Sequence, residues 1–136
     1  MAECVRIKDT DVEALLNFAK EKRIDLTVVG PEAALAAGIA DRFREEGLRI
    51  FGHSREAARI ETSKEFAKEI MRKYGVPTAA YRSFSDYEEA REYVLGRPFP
   101  AVLKYDGLAA GKGVVIAENA AEAEEALKDM LLDTRF

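Results

Sequence analysis

The first half of the chain alternates between two patterns of apolar and polar residues. Apolar residues recur every three or four positions over 11–21 and over 32–46, which predicts two helices, the second ended by Gly47. Residues 24–29 and 48–51 are short runs rich in β-branched residues, typical of strands. Helices and strands that alternate with connections of a few residues predict a parallel α/β sheet.

Polar and glycine residues follow both predicted strands. Gly30, Pro31 and Glu32 come after the first strand, and Gly52 and His53 come after the second. Ligands of parallel sheets bind beyond the carboxyl ends of the strands, so both segments are candidates for binding. A Gly-Pro pair also ends a strand without binding anything, and the pattern by itself leaves both interpretations open.

The second half begins its helices at capping patterns. A Ser, Thr or Asn followed three positions later by Glu marks a helix start, and it occurs at Thr10, Thr62, Ser85 and Asn119. The last three predict helices, and a strand is predicted over 79–82. We therefore expect two domains: a partial α/β domain over 1–58 and a second, incomplete domain over 59–136.

The amino-acid composition excludes several classes of function. The 136 residues carry a net charge of −4, which argues against a broad nucleic-acid surface. Cys4 and His53 are the only residues of their types, so thiolate clusters and histidine-rich metal sites are excluded. Neither a secretory signal nor a membrane-spanning run is recognisable. We expect a cytoplasmic protein without nucleic-acid or membrane partners.

A glycine-rich loop carries the most specific chemistry. Strands are predicted over 101–105 and 114–117, and the loop between them contains Gly107, Gly111 and Gly113. Glycines let backbone N–H groups approach an anion closely, and Lys104 and Lys112 add positive charge. The sequence thus predicts a loop that covers phosphates.

A glycine-rich loop of this kind has three other interpretations. A Walker A loop needs four residues between its first glycine and Gly-Lys, but only three separate Gly107 from Gly111. A dinucleotide-binding turn would open a helix, whereas this loop leads into a strand. A hairpin without a ligand is the third, although the loop is long for one and holds alanines where Asn or Asp is usual.

Four stretches of the chain together resemble the phosphoribosylamine–glycine ligases, a family of the ATP-grasp superfamily. They are 25–33, 61–68, 75–79 and the loop over 104–114, in the order and spacing of that family. The resemblance covers essentially the whole chain, and it implies that 59–136 is the first part of an ATP-grasp domain. It also implies a set of nucleotide-binding residues: Lys64, Lys104, Asp106, Gly107, Leu108, Ala109, Ala110, Gly111, Lys112, Gly113 and Val114.

The resemblance implies a reaction as well. ATP would phosphorylate the carboxylate of glycine, phosphoribosylamine would attack the acyl phosphate, and magnesium would bridge the phosphates. Gly30, Pro31 and Glu32 match a substrate-side loop. No catalytic residue and no metal ligand can be assigned in this chain, because the family's metal-binding segment has no match. The chain is therefore expected to be a fragment without full activity.

The chain departs from the family at Tyr105, where Ala is usual, and at Ala34 and His53, where Pro is common. Tyr105 is expected to point away from the phosphates, and His53 is interpreted as an exposed loop residue. Two other functions stay open: a different ATP-grasp carboxylate–amine ligase, and a nucleotide-binding fragment without catalysis.

Overall fold

The computed structural model describes residues 2–109 and 113–133, and it divides at Thr62 and Ser63 into two compact units. The first unit contains a parallel pair of strands among four helices. Its elements are α1 (Val12–Glu21), β1 (Thr27–Val28), α2 (Glu32–Ala36), α3 (Ile39–Glu45), β2 (Ile50–Phe51) and α4 (Arg55–Thr62).

The sheet of the first unit is parallel, as the alternation of elements predicts. Thr27 pairs with Ile50 and Val28 pairs with Phe51. Apolar residues from all four helices form the core beside it: Leu16, Ala19, Ala34, Leu35, Ile39, Ala40, Phe43 and Ala58. The predicted α/β class with a parallel sheet is confirmed.

The predicted helix over 32–46 is wrong at one point, because Gly38 divides it. Gly38 has φ +89°, a left-handed conformation that glycine adopts without steric cost, and α3 starts as a separate helix after it. The helix α4 was not predicted, since its only buried residue is Ala58 and its apolar pattern is weak. The strands are also shorter than predicted.

The second unit packs a hairpin of strands against two helices. Its elements are α5 (Lys64–Lys73), α6 (Tyr87–Leu95), β3 (Ala101–Lys104), β4 (Val114–Ala117) and α7 (Ala120–Leu131). The strands pair antiparallel from Ala101 with Ala117 to Lys104 with Val114. The core consists of Ala90, Val94, Ala117, Ala123 and Leu127. Residues 79–82 form no strand, so that prediction is wrong.

The helix starts show how neighbouring capping residues compete. Asn119 caps α7 as predicted, accepting a hydrogen bond from the Glu122 N–H at 3.1 Å. The other three caps lie one residue after the predicted position, at Asp11, Ser63 and Asp86. In each case two capping residues are adjacent in the sequence, and the helix begins after the second one.

Within the described residues, no helix combines the length and the apolarity that crossing a bilayer requires.

The two phenylalanines of the first unit should differ sharply in their effect on stability. Phe43 is 1% exposed and Phe51 is 70% exposed. Phe43→Ala should lower the free energy of unfolding by about 3–5 kcal/mol, because it leaves a cavity in the core. Phe51→Ala should change it by less than about 0.5 kcal/mol. Urea denaturation of both variants measures this, and equal losses would contradict the core described above.

A cluster of charges joins α1 to α3 on the surface of the first unit. Arg42 contacts Glu13 at 2.6 Å and Glu46 at 2.6 Å, and Lys20 contacts Glu46 at 2.6 Å. Hydrogen bonds from Lys20 and Arg42 lower the pKa of Glu46 from 4.5 to about 2. Glu46 is therefore more acidic in the folded chain than in the unfolded chain.

This pKa shift predicts a pH dependence of stability. Glu46 should contribute its full stabilisation above about pH 4.5 and lose it as the pH falls toward about 2, because its folded pKa is the lower one. The difference in stability between the wild type and Glu46→Gln should therefore shrink over that interval. Glu21→Gln, on the exposed side of α1, is the control. Parallel curves for wild type and Glu46→Gln would contradict the prediction.

Candidate functional site

The two strands of the second unit hold the ends of the glycine-rich loop together. Lys104 is the last residue of β3 and pairs with Val114, the first residue of β4. One step further, the Tyr105 N–H donates to the Gly113 carbonyl at 2.8 Å. The loop therefore leaves and re-enters the sheet at a closed neck.

The carboxylate of Asp106 lies at the start of α5. Oδ1 accepts hydrogen bonds from the backbone N–H groups of Lys64, at 2.5 Å, and Glu65, at 3.1 Å. Oδ2 accepts a hydrogen bond from the Ser63 hydroxyl at 3.0 Å. The loop is thus attached to a helix that lies more than forty positions earlier in the chain.

Ser63, the residue before α5, accepts hydrogen bonds from two further N–H groups of the helix. Ser63 Oγ accepts from the Phe66 N–H at 3.1 Å, and the Ser63 carbonyl accepts from the Ala67 N–H at 3.0 Å. An α-helix leaves its first four N–H groups without intrahelical partners. The Phe66 N–H and the two N–H groups held by Asp106 are three of these four, and the bond from the Ala67 N–H to the Ser63 carbonyl is the first intrahelical hydrogen bond of α5.

The ammonium group of Lys64 reaches the same loop. Its Nζ donates to the Gly107 carbonyl at 3.0 Å in a part-buried contact. The structure therefore brings together three residues that the sequence placed in one site: Lys64, Asp106 and Gly107. They lie in two separate stretches of the sequence, which are joined by these four hydrogen bonds.

Two glycines of the loop sit against the aromatic ring and stem of Tyr105. A Cβ added to Gly107, which has φ +145°, would lie 2.9 Å from Cε1 of Tyr105. A Cβ added to Gly113 would lie 2.7 Å from the Ala109 Cβ and 3.2 Å from the Tyr105 Cβ. Tyr105 therefore supports the loop from one side, a role that strand alternation did not indicate.

The outer face of the hairpin is apolar and ends in a positive charge. Val102 and Ile116 are paired on this face, 56% and 60% exposed, and Val114 follows toward the loop. Lys104 is exposed beside Val114, and Leu108 is exposed within the loop. An apolar surface that leads to a lysine at the neck of a glycine-rich loop suits a ligand with an apolar body and an anionic tail.

Three predicted site residues, Ala110, Gly111 and Lys112, lie outside the described residues. Gly107, Leu108, Ala109, Gly113 and Val114 are described, and all belong to the loop or its neck.

The candidate segments of the first unit lie at one edge of its sheet. Gly30 and Pro31 follow β1, and Glu32 begins α2; all three are exposed. Gly52 follows β2, and a Cβ there would come within 2.9 Å of Leu35 Cδ2. The parallel pairing therefore puts both segments beyond the carboxyl ends of the strands, as predicted. His53 is exposed, as expected from the sequence.

Among the described residues, no group of three or more His, Cys, Asp or Glu side chains is arranged to hold a metal ion. The carboxylate nearest to the loop, that of Asp106, is occupied by three hydrogen-bond donors. These residues do not form a magnesium site, so no step of the chemistry is assigned to one.

Two family models together cover the chain. The model for the N domain of phosphoribosylglycinamide synthetase matches residues 1–61, and the model for its ATP-grasp (A) domain matches residues 62–136. Phosphoribosylamine–glycine ligases of Halalkalibacterium halodurans and Streptococcus suis are 53% and 54% identical, over all and over 98% of this chain. The chain spans 32% of the length of each of these relatives.

Solved structures with the same fold include a ligase and a carboxylase. Phosphoribosylamine–glycine ligase from Thermotoga maritima has 38% identity and a TM-score of 0.58, covering 72% of this chain and 23% of that one. The biotin carboxylase domain of the Hydrogenobacter thermophilus 2-oxoglutarate carboxylase, in complex with MgADP, ADP and bicarbonate, has 25% identity and a TM-score of 0.70. It covers 88% of this chain and 28% of that one.

The crowding at Gly113 predicts a specific defect and its rescue. Gly113→Ala should disturb the neck of the loop, because its Cβ would lie 2.7 Å from the Ala109 Cβ. Amide exchange at Tyr105 should become about tenfold faster as the Tyr105–Gly113 hydrogen bond weakens. Adding Ala109→Gly should restore part of the protection. Unchanged exchange in the single variant would contradict this packing.

Proposed function

Since the chain belongs to the phosphoribosylglycinamide synthetase family, we propose that it is part of an ATP-dependent ligase that joins glycine to 5-phosphoribosylamine in purine biosynthesis. The chain covers about a third of the length of its relatives, and it contributes the substrate-side domain and the start of the ATP-grasp domain. The observation that carries the proposal is the glycine-rich loop, closed at its neck and bordered by Lys64 and Lys104.

The loop suits the polyphosphate of ATP for electrostatic reasons. Lys64 and Lys104 bring two positive charges to its base, and Lys112 adds a third within the loop sequence. A transferred phosphoryl group spreads negative charge over its oxygens, which fixed cations and backbone N–H groups stabilise. The exposed apolar face formed by Val102, Val114 and Ile116 supports a place for the nucleoside beside them.

The proposed reaction has two steps. A glycine carboxylate oxygen attacks the γ-phosphorus of ATP, the bond to the β-phosphate oxygen breaks, and glycyl phosphate and ADP form. The amine of phosphoribosylamine then attacks the acyl carbon, loses a proton, and expels phosphate to give glycinamide ribonucleotide. A loop that covers the phosphates would keep water away from the acyl phosphate between the steps. Magnesium, when bound by other parts of the ligase, would neutralise phosphate charge.

We place the amine substrate at the first unit. Gly30, Pro31 and Glu32 are exposed beyond the carboxyl end of β1, where parallel sheets bind their ligands. Such a position leaves backbone N–H groups free to approach the phosphoribosyl group. As an enzyme of purine synthesis, the ligase is proposed to act in the cytoplasm.

A second candidate function is a different ATP-grasp carboxylate ligase. The likeness to a biotin carboxylase domain supports it, because that domain has a similar fold and its structure contains bicarbonate together with MgADP and ADP. Identity above 50% to two phosphoribosylamine–glycine ligases favours the first candidate. A third candidate is a fragment that binds a nucleotide without catalysis. The experiments below distinguish among the three candidates.

ATP affinity should depend on the two lysines that border the loop. Lys64→Ala and Lys104→Ala should each weaken ATP binding by about tenfold, as expected for the loss of one charge-assisted contact. Lys73→Ala, at the far end of α5, removes a charge from the same unit and should leave binding unchanged. Isothermal titration of the chain with ATP, with and without magnesium, measures this. Equal affinity in all four proteins would remove both lysines from the site.

Ligase activity is best tested in a chimera. The chimera is the Halalkalibacterium halodurans relative with its matching segment replaced by this chain, which aligns with that segment along the whole of its 136 residues. Continuous ADP formation over many turnovers should then require both glycine and phosphoribosylamine. ADP formation that proceeds with another carboxylate and without glycine would favour the second candidate. ATP binding by the chain together with an inactive chimera would favour the third.

A further inference from the structure

We propose that Asp106 is a positioning residue that attaches the glycine-rich loop to α5, and that it does not itself contact the nucleotide. The nucleotide part of this inference rests on the proposed function. The attachment itself rests only on the hydrogen bonds among Ser63, Lys64, Glu65 and Asp106.

The carboxylate of Asp106 has little capacity left for a ligand. Oδ1 takes two backbone N–H groups and Oδ2 takes the Ser63 hydroxyl, so three of about four acceptor positions are in use. A carboxylate also repels a polyphosphate, and this one sits beside the loop that would cover it. Both arguments point to the helix start as the partner of Asp106.

The attachment matters because α5 has few other constraints. None of its residues is buried. Its position therefore depends strongly on polar contacts, and those at the helix start that reach a distant part of the sequence go to Asp106 and Gly107. A charged acceptor at a helix N-terminus is also favoured by the helix dipole. Helix and loop are thus held as one assembly.

The attachment of the loop to α5 also determines the position of Lys64. Its backbone N–H is bound to Asp106, and its side chain bonds to the carbonyl of the next loop residue, Gly107. Because the backbone is fixed at 2.5 Å from the Asp106 Oδ1, the ammonium group stays within reach of the loop whichever partner it takes. Asp106 therefore sets where the charge of Lys64 lies.

Two substitutions separate attachment from direct binding. Asp106→Asn keeps an oxygen for both backbone N–H groups, and its amide can donate to the Ser63 hydroxyl. Asp106→Ala removes all three contacts. Amide exchange measured by NMR should become about 5- to 30-fold faster in Asp106→Ala at Lys64, Glu65 and Tyr105, and should change little in Asp106→Asn. ATP affinity should fall about tenfold in Asp106→Ala and less than about threefold in Asp106→Asn.

Asp86→Ala is the matched control. Asp86 caps α6 by accepting the Glu89 N–H at 2.9 Å, so its loss removes a cap of the same kind from the same unit. This variant should lose thermal stability but leave ATP affinity and the exchange at Tyr105 unchanged.

Three results would overturn the proposal. Faster exchange at Lys64 and Glu65 with unchanged exchange at Tyr105 would show that the cap does not hold the loop. Equal loss of ATP affinity in Asp106→Asn and Asp106→Ala, with amide protection kept in the former, would make Asp106 a direct ligand. If Asp86→Ala loses as much ATP affinity as Asp106→Ala, the lower affinity is explained by a general loss of stability and not by the attachment of the loop. A wild-type chain that binds no ATP would contradict the proposed function instead, and the exchange results would still decide the attachment.

Discussion

The start of α5 depends on a carboxylate from a distant part of the sequence. Its first two N–H groups have no local acceptor and bond to Asp106, 42 and 41 positions later. An N-terminal cap that comes from the adjacent residue only fixes where a helix begins. A cap that comes from a loop also fixes where the loop lies, and here it acts together with the Lys64–Gly107 and Tyr105–Gly113 hydrogen bonds. The glycines of the loop give it freedom of conformation but no side chains to pack.

The same interaction decides how charge is distributed around the loop. Helix N-termini attract anions, and phosphates often bind there. At α5 this position is already taken by a carboxylate, so a phosphate would have to bind to the loop N–H groups and to the lysines instead. The negative charge of Asp106 lies at the positive end of the helix dipole, the ammonium group of Lys64 donates to the Gly107 carbonyl, and Lys104 is exposed at the neck of the loop. One carboxylate thus organises both the backbone and the electrostatics.

The structure brings together Lys64, Asp106 and Gly107, which the sequence grouped in one candidate site, but the hydrogen bonds among them were not predicted. Glycine spacing and lysines identified the loop, and the resemblance added Lys64, because residue type and order are readable without coordinates. Asp106 was grouped with the nucleotide ligands, since the sequence contains no sign of which donors surround a carboxylate. Tyr105 was expected to point away from the phosphates because strand alternation was extended to it, whereas β3 ends at Lys104 and the ring of Tyr105 lies against Gly107.

Local competition explains the errors in the fold. Thr10–Asp11, Thr62–Ser63 and Ser85–Asp86 each offer two caps, and the pattern rule chose the first where the helix uses the second. Gly38 lies inside an apolar periodicity that continues on both sides, so the pattern indicated one helix where the positive φ makes two. The presence of helices and the pairing of strands could be predicted from the sequence because many residues determine them. Each of these boundaries, in contrast, depends on a single residue.

The backbone of Lys64 is held by Asp106, while its side chain is able to change its hydrogen-bond partner. Its ammonium group donates to the Gly107 carbonyl, a neutral acceptor. A phosphate oxygen is a charged acceptor and forms a stronger hydrogen bond with the same group. Binding of ATP would therefore exchange one partner for another, and the carbonyl of Gly107 would be released. The exchange costs little conformational entropy, because Asp106 already holds the Lys64 backbone at the loop. A lysine on an unattached helix would have to be ordered in the same step, at the expense of affinity.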